Sequence, residues 1–259
     1  MSGLDLSALG ELAERAARAG GEIVRAEFGT ARTEIAKGPG DWVSDVDLRS
    51  EDVIRSVLEE SGLPVHGEEA GGERAEVGWF VDPLDGTTNF LRGMYAVGVS
   101  VGLVAHGEPV AGAVFAPLLD EMFTATKGGG AFRNGAALAV SARPESEAIV
   151  ATGFPFRRKA RMPEYDRVLQ SVFARLEDIR RIGAASLDLA WTASGVLDGY
   201  FELFLGSWDV AAGALLVREA GGVVTDWDGD PAAWLDSGCI LAASPTTHAA
   251  LLDCAHLRG

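Results

Sequence analysis

The stretch Trp79-Phe80-Val81-Asp82-Pro83-Leu84-Asp85-Gly86-Thr87-Thr88-Asn89-Phe90 decides the reading of this chain. Its apolar start predicts a buried strand that delivers Asp82 to a sheet edge, where Pro83 forces a turn. Asp85 follows three residues on, so two carboxylates can converge on one point. Oxygen ligands without Cys or His favour the hard cations Mg²⁺, Mn²⁺ or Ca²⁺ over zinc. Gly86-Thr87-Thr88 then offers a residue without a Cβ, two hydroxyls and consecutive backbone N–H groups at an expected helix start, a setting that binds phosphate. Metal ligands beside a phosphate cradle point to metal-assisted phosphoryl chemistry. Taken alone, Asp-Pro-Leu-Asp-Gly also has the composition of a plain turn.

Two further acidic stretches bear on that choice. His66-Gly67-Glu68-Glu69 closes an expected strand, and Ser207-Trp208-Asp209-Val210 opens an expected helix. Singly, Glu68-Glu69 is a solvated pair, Asp209 is an N-cap, and Glu202 in Gly199-Tyr200-Phe201-Glu202 is a surface acid at a strand end. It is the joint occurrence that carries weight.

Outward from these motifs, apolar spacing predicts a helix over 6–28 with Ser7 as its N-cap, and a second over 47–58 stopped by Ser61-Gly62. Residues 37–41 between them look like a loop. Short apolar runs at 65–66, 79–81, 97–104, 110–115 and 122–125 predict strands, joined in part by hairpins, hence a largely antiparallel sheet. A polar run with Pro144 suggests two halves, 1–142 carrying the metal motifs in an α+β arrangement and 143–259 completing the site. In the second half, helices near 164–176, 186–194, 210–220 and 246–256 alternate with strands at 179–181, 200–204, 222–225 and 239–243, an α/β pattern.

With 38 Asp and Glu against 22 Lys and Arg, the 259-residue chain has a formal charge of −16. Such a surface repels polyphosphate backbones and anionic lipid, so direct nucleic-acid and membrane partners are not expected. Small anionic substrates remain open, because clustered cations or bound metal reverse the field locally. Cys239 and Cys254 lack metal or redox spacing. The longest apolar run, 95–105, is too short to span a bilayer, and a cytoplasmic location is expected.

The set and order of these motifs resembles the inositol monophosphatase family, within the lithium-sensitive, Mg²⁺-dependent sugar and nucleotide phosphatases. The resemblance runs from about Lys37 to Gly222. It implies a layered α-β-α-β-α sandwich, a homodimer, and a phosphomonoesterase for small polyol or sugar phosphates such as myo-inositol 1-phosphate. Fructose 1,6-bisphosphate, histidinol phosphate and nicotinamide dinucleotide phosphate are alternative substrates, and a regulatory protein with incidental catalysis is the alternative role. The resemblance further implies two or three Mg²⁺ per subunit, with Mn²⁺ as a substitute. Glu68, Asp82 and the Leu84 carbonyl would hold one ion, and Asp82, Asp85 and Asp209 a second. Phosphate would sit on Gly86 and Thr87, while Thr87 and Asp47 orient and deprotonate the attacking water. Asp85, Glu202 and Asp209 would meet substrate hydroxyls beside the Gly183-Ala184-Ala185 backbone. Ala184 stands where many relatives carry a hydroxyl. Lys37 matches a lysine near the metals, and Arg157-Arg158 is either a solvated pair or a contact at the site mouth.

Overall fold

The computed structural model describes residues 4–30, 34–38 and 41–256, of which 34–38 and 41 are described through their backbone alone. Helix α1 (Leu6–Glu27) is capped by Asp5, whose carboxylate accepts from the Ala8 N–H, and not by Ser7. An aspartate one turn upstream satisfies the orphan amides first. The expected loop at 37–41 is part of a hairpin, β1 (Glu34–Gly38) with β2 (Asp41–Ser44). Lys37 lies on β1, and its side chain is outside the described residues. Helix α2 (Asp45–Leu58) starts two residues earlier than the apolar spacing shows, because Ser44 and Asp47 form a capping box.

Strands β3 (Val65–Gly67), β4 (Val77–Asp85), β5 (Gly98–Ala105), β6 (Glu108–Ala116), β7 (Glu121–Thr126), β8 (Gly130–Arg133) and β9 (Ala136–Ala137) form a seven-stranded sheet in sequence order. It is antiparallel except for β3 beside β4. The short helix α3 (Thr87–Leu91) follows β4. The second sheet takes the order β11-β10-β12-β14-β13, from β10 (Ile149–Thr152), β11 (Asp178–Arg180), β12 (Gly199–Glu202), β13 (Val223–Thr225) and β14 (Ile240–Ala243). Helices α4 (Met162–Arg175), α5 (Ala185–Ala193), α6 (Ser207–Glu219), α7 (Trp234–Ser237) and α8 (Pro245–His256) interleave with it.

Burial explains the layering. Helices α1 and α2 place Leu12, Ala16, Val24 and Ile54 against Trp79, Val101 and Phe115 on one face of the first sheet. Helices α5 and α6 are apolar nearly all round because they fill the space between the two sheets, where Leu187, Leu189, Ala212 and Leu216 are buried. Helices α4 and α8 cover the outer face of the second sheet, with Tyr165, Val172 and Leu251 packed on Phe201. The result is the α-β-α-β-α sandwich. No helix among the described residues is long and apolar enough to cross a membrane.

Candidate active site

Strand β4 does not end at Asp82. It runs through Pro83 to Asp85 with a register shift, Asp82 facing Ser100 and Asp85 facing Gly98 on β5. A proline has no N–H for the ladder, so the extra residue bulges and both carboxylates are carried on the strand itself. The Ser50 hydroxyl on α2 donates to the Pro83 carbonyl (2.8 Å) and pins the bulge. Opposite Asp82, the Ser100 hydroxyl donates to the Trp208 carbonyl (3.0 Å), which brings the start of α6, and with it Asp209, over the end of β4.

Glu68 arrives on the turn after β3. Buried Glu51 shapes this turn, its carboxylate accepting from the Glu69 (2.8 Å) and Ala70 (3.2 Å) amides while paired with Arg55. Glu68, Asp82 and Asp209 each offer a carboxylate oxygen within 4.8 Å of the others. Asp82 is held well above the usual carboxylate range, first by burial and then by the charges of Glu68, Asp85 and Asp209. Asp209 also accepts from the Gly206 amide (2.6 Å), so it sits at the third position of α6 rather than at its N-cap. Asp85 lies beside this trio and outside it. Its Oδ2 accepts from both the N–H and the hydroxyl of Ser186, each at 2.6 Å. Burial and Asp209 push Asp85 up to about 7 against the pull of those two bonds.

Three mutually repelling oxygen donors without nitrogen or sulfur suit a hard divalent cation, which would remove the repulsion that raises Asp82. Leu84 is the next residue but one. Its amide donates to Asp82 (2.9 Å), and its carbonyl lies 3.1 Å from the Thr87 hydroxyl.

Gly86 precedes α3 at φ +86°, a left-handed conformation that glycine adopts without strain. Thr87 follows, its Oγ1 donating to Asp47 Oδ1 (3.0 Å). The other Asp47 oxygen accepts from the Ser44 amide (2.9 Å) and hydroxyl (2.6 Å). Asp47 is 1% exposed and raised by burial, with the Ser44 and Thr87 bonds opposing. It is therefore behind the cleft and reaches it only through Thr87.

Glu68, Asp82, Leu84, Asp85, Gly86, Thr87, Gly183, Ala184, Ala185, Glu202 and Asp209 all line one cleft of about 350 Å³. Glu202 accepts from the Tyr200 hydroxyl, and its burial pushes it up to about 7, with Tyr200 and Arg181 pulling the other way. A Cβ at Gly153 would fall inside the Glu202 carboxylate, so only glycine admits this placement.

Several lining or supporting residues had no signal in the sequence. Asn89 donates to the Ala96 (2.8 Å) and Ile182 (3.0 Å) carbonyls and so fixes the Gly183 loop against β4. Arg181, Phe154, Phe156 and Phe204 also line the cleft, and so does the Arg157-Arg158 pair, for which the sequence left a solvated pair and a contact at the site mouth both open. Ser186 and Glu51 act through partners distant in sequence.

The profile of the Inositol monophosphatase family matches residues 5–257. The chain belongs to the inositol monophosphatase family. It is 40% identical over 255 residues to the inositol-1-monophosphatase of Mesorhizobium japonicum, covering 95% of each chain. It is 41% identical over 250 residues to Nus factor SuhB of Escherichia coli, covering 93% of each. Its structure superposes on the extragenic suppressor protein suhB from Bartonella henselae with a TM-score of 0.91 at 37% identity, covering 96% of this chain and 99% of that one. Inositol monophosphatase family members are metal-dependent phosphatases of small phosphorylated substrates, which agrees with the acidic trio at the end of β4.

Proposed function

We propose that this chain is a Mg²⁺-dependent phosphomonoesterase for small polyol or sugar phosphates, with myo-inositol 1-phosphate as the reference substrate. The observation that carries the reading is the convergence of Glu68, Asp82 and Asp209 next to Gly86 and Thr87 in one cleft. Glu68, Asp82, the Leu84 carbonyl, Asp85 and Asp209 would hold the metal. When bound, Mg²⁺ acidifies water and offsets the charge of the phosphate.

The chain's own residues do the rest. Gly86 and Thr87 at the start of α3 meet the phosphate. Because the Thr87 hydroxyl donates to Asp47, its lone pairs are left to accept from the attacking water. As the new O–P bond forms, the water proton passes through Thr87 to Asp47, and the ester P–O bond breaks with the leaving oxygen taking a proton from solvent. The raised Asp47 is a stronger base than an exposed carboxylate, which suits that task. Glu202, beside the Gly183-Ala184-Ala185 backbone, accepts a substrate hydroxyl.

The name Nus factor, carried by the Escherichia coli relative, supports a second reading as a regulatory protein. The intact acidic cluster supports the first. Phosphate release from a panel of monoesters with Mg²⁺, then with added Li⁺, separates them. The expected outcome is Mg²⁺-dependent turnover that Li⁺ suppresses. Folded protein without turnover on any ester overturns the enzyme reading.

A further inference from the structure

One face of α2 is both buried and polar. Asp47, Ser50 and Glu51 share the helical spacing of Ile54 and are buried with it. Buried polar groups persist when they are bonded, and each of these three reaches a different segment of the site. Asp47 accepts from the Thr87 hydroxyl (3.0 Å) at the start of α3, and the Ser50 hydroxyl donates to the Pro83 carbonyl (2.8 Å) on the β4 bulge. Glu51 accepts from the Glu69 and Ala70 amides, on the turn that carries Glu68. Asp47 serves the hydrolysis, whereas Glu51 does not line the cleft and spends its bonds on backbone and Arg55.

Those bonds surround Glu68. Glu51 Oε2 accepts from the Glu69 N–H (2.8 Å), and Oε1 from the Ala70 N–H (3.2 Å) and Arg55 Nε (2.7 Å). Arg55 continues to the Val65 (3.1 Å) and Gly71 (2.5 Å) carbonyls. On the other side of Glu68, a Cβ at Gly67 would lie 2.1 Å from Glu51 Oε1, so the carboxylate is pressed against the backbone before and after the acid. The Glu68 N–H in turn donates to the carbonyl of Val81, the neighbour of Asp82 (3.0 Å). Buried ion pairs seldom repay their desolvation in stability. Glu68, Asp82 and Asp209 bring carboxylate oxygens within 4.8 Å of one another, and like charges that close would swing Glu68 away on a loose turn.

We propose that Glu51, braced by Arg55, is a positioning residue that holds Glu68 beside Asp82 and Asp209 against their mutual repulsion, so that a divalent cation meets a preformed cluster. The inference rests on the metal-dependent reading of the same cleft and deepens it. A turn already fixed by Glu51 spares the ion the cost of ordering it on binding. Because Glu51 and Asp47 lie one turn apart on α2, the metal donor Glu68 and the base are also set by one rigid element.

Mn²⁺ is the probe, its unbound fraction read by electron paramagnetic resonance. Glu51→Gln keeps the shape but removes the charge and one acceptor oxygen, and should weaken Mn²⁺ binding about ten- to hundredfold. Turnover lost at low Mg²⁺ should return at saturating Mg²⁺, a shift in metal requirement and not in kcat. Ile54→Val, buried on the same helix face, should lower the melting temperature yet leave Mn²⁺ affinity within about twofold, which separates positioning from a general loss of stability. Glu68→Gln should itself weaken Mn²⁺ binding, and in that background Glu51→Gln should change it by less than about twofold. Gly67→Ala, which pushes on the carboxylate from the turn side, should weaken Mn²⁺ binding in the same way and supplies the test if Glu51→Gln does not fold. Unchanged Mn²⁺ affinity in Glu51→Gln or Gly67→Ala, or a Glu51→Gln loss that adds in full to that of Glu68→Gln, overturns the positioning role and leaves the metal reading standing. Glu68→Gln without effect on Mn²⁺ binding sinks the metal reading and the positioning role with it. Mn²⁺ binding that depends on Glu51 through Glu68, without turnover of any ester, sinks the phosphatase reading and keeps the positioning role.

Discussion

Asp85 and Ser186, 101 residues apart, are joined by two hydrogen bonds of 2.6 Å, one from the Ser186 N–H and one from its hydroxyl. The contact ties the end of β4 in the first sheet to the first turn of α5, between the sheets. A carboxylate in a helix's first turn is favoured by the unsatisfied amides there. Ser186→Ala removes the side-chain member of the hydrogen bonds from Ser186 and the Ala185 amide that restrain the Asp85 pKa, so Asp85 should be harder to ionise. The Mg²⁺ concentration for half-maximal activity should rise about three- to tenfold, with the melting temperature little changed. An unchanged Mg²⁺ titration would detach Asp85 from metal binding.

Asp82→Asn tests the centre of the acidic trio. It should abolish Mg²⁺-dependent turnover. It should also raise the melting temperature in EDTA above that of the wild type, because it removes a carboxyl whose ionisation is opposed first by burial and then by the charges of Glu68, Asp85 and Asp209. Calorimetry in EDTA reads the second effect independently of activity, and a lower melting temperature would count against the repulsion.

Metal-free protein should lose stability as pH rises. Burial pushes Asp85 and Glu202 up to about 7, whereas both titrate near 4 in an unfolded chain. Between roughly pH 4 and 7 the folded state keeps protons that the unfolded chain has released, so the free energy of unfolding falls across that window. Urea melts at pH 5, 6 and 7 in EDTA should show a declining midpoint. Asp85→Asn with Glu202→Gln should flatten the decline, and Mg²⁺ should offset it. A midpoint that climbs equally in both proteins contradicts the assignment.

Asp47→Asn keeps the shape of the buried side chain and removes the base. It should reduce kcat about 10²- to 10⁴-fold with KM nearly unchanged. Thr87→Ala added to it should cost little more, since the two act as one unit through their 3.0 Å bond. Full additivity in steady-state kinetics would separate their roles.

Gly153→Ala places a methyl where the Glu202 carboxylate lies. Glu202 must then move, and KM for hydroxyl-bearing substrates should rise several-fold while kcat is largely kept, the pattern of lost ground-state binding. A fall in kcat with KM unchanged would assign Glu202 to the chemistry instead.

Much of this was legible in the sequence because the deciding information is local. Trp79-Phe80-Val81 marks a strand, Ser207-Trp208-Asp209 a helix start, and apolar period marks the helices α1 and α2, because side-chain direction repeats with backbone geometry. The hairpin β1–β2 was not legible, since five residues with Gly38 and Lys37 show no clear alternation. Nor was the extension of β4 through Pro83, because a proline there is tolerated only through a bulge that the pairing with Gly98 creates.

The acidity of the chain, its motif order and the residue types of the candidate site were determined by the sequence alone: Glu68, Asp82, Asp85, Thr87 and Asp209 are chemically suited to metal and phosphate wherever they lie. Tertiary structure decided their grouping. It put Glu68, Asp82 and Asp209 within 4.8 Å, turned Asp85 toward Ser186, buried Asp47 behind Thr87 and brought Arg158 and Arg181 to the same cleft. The reason is physical. Periodicity reports which face of an element is buried, while the partner met on that face is set by how the two sheets close on α5 and α6, and no local pattern encodes that contact.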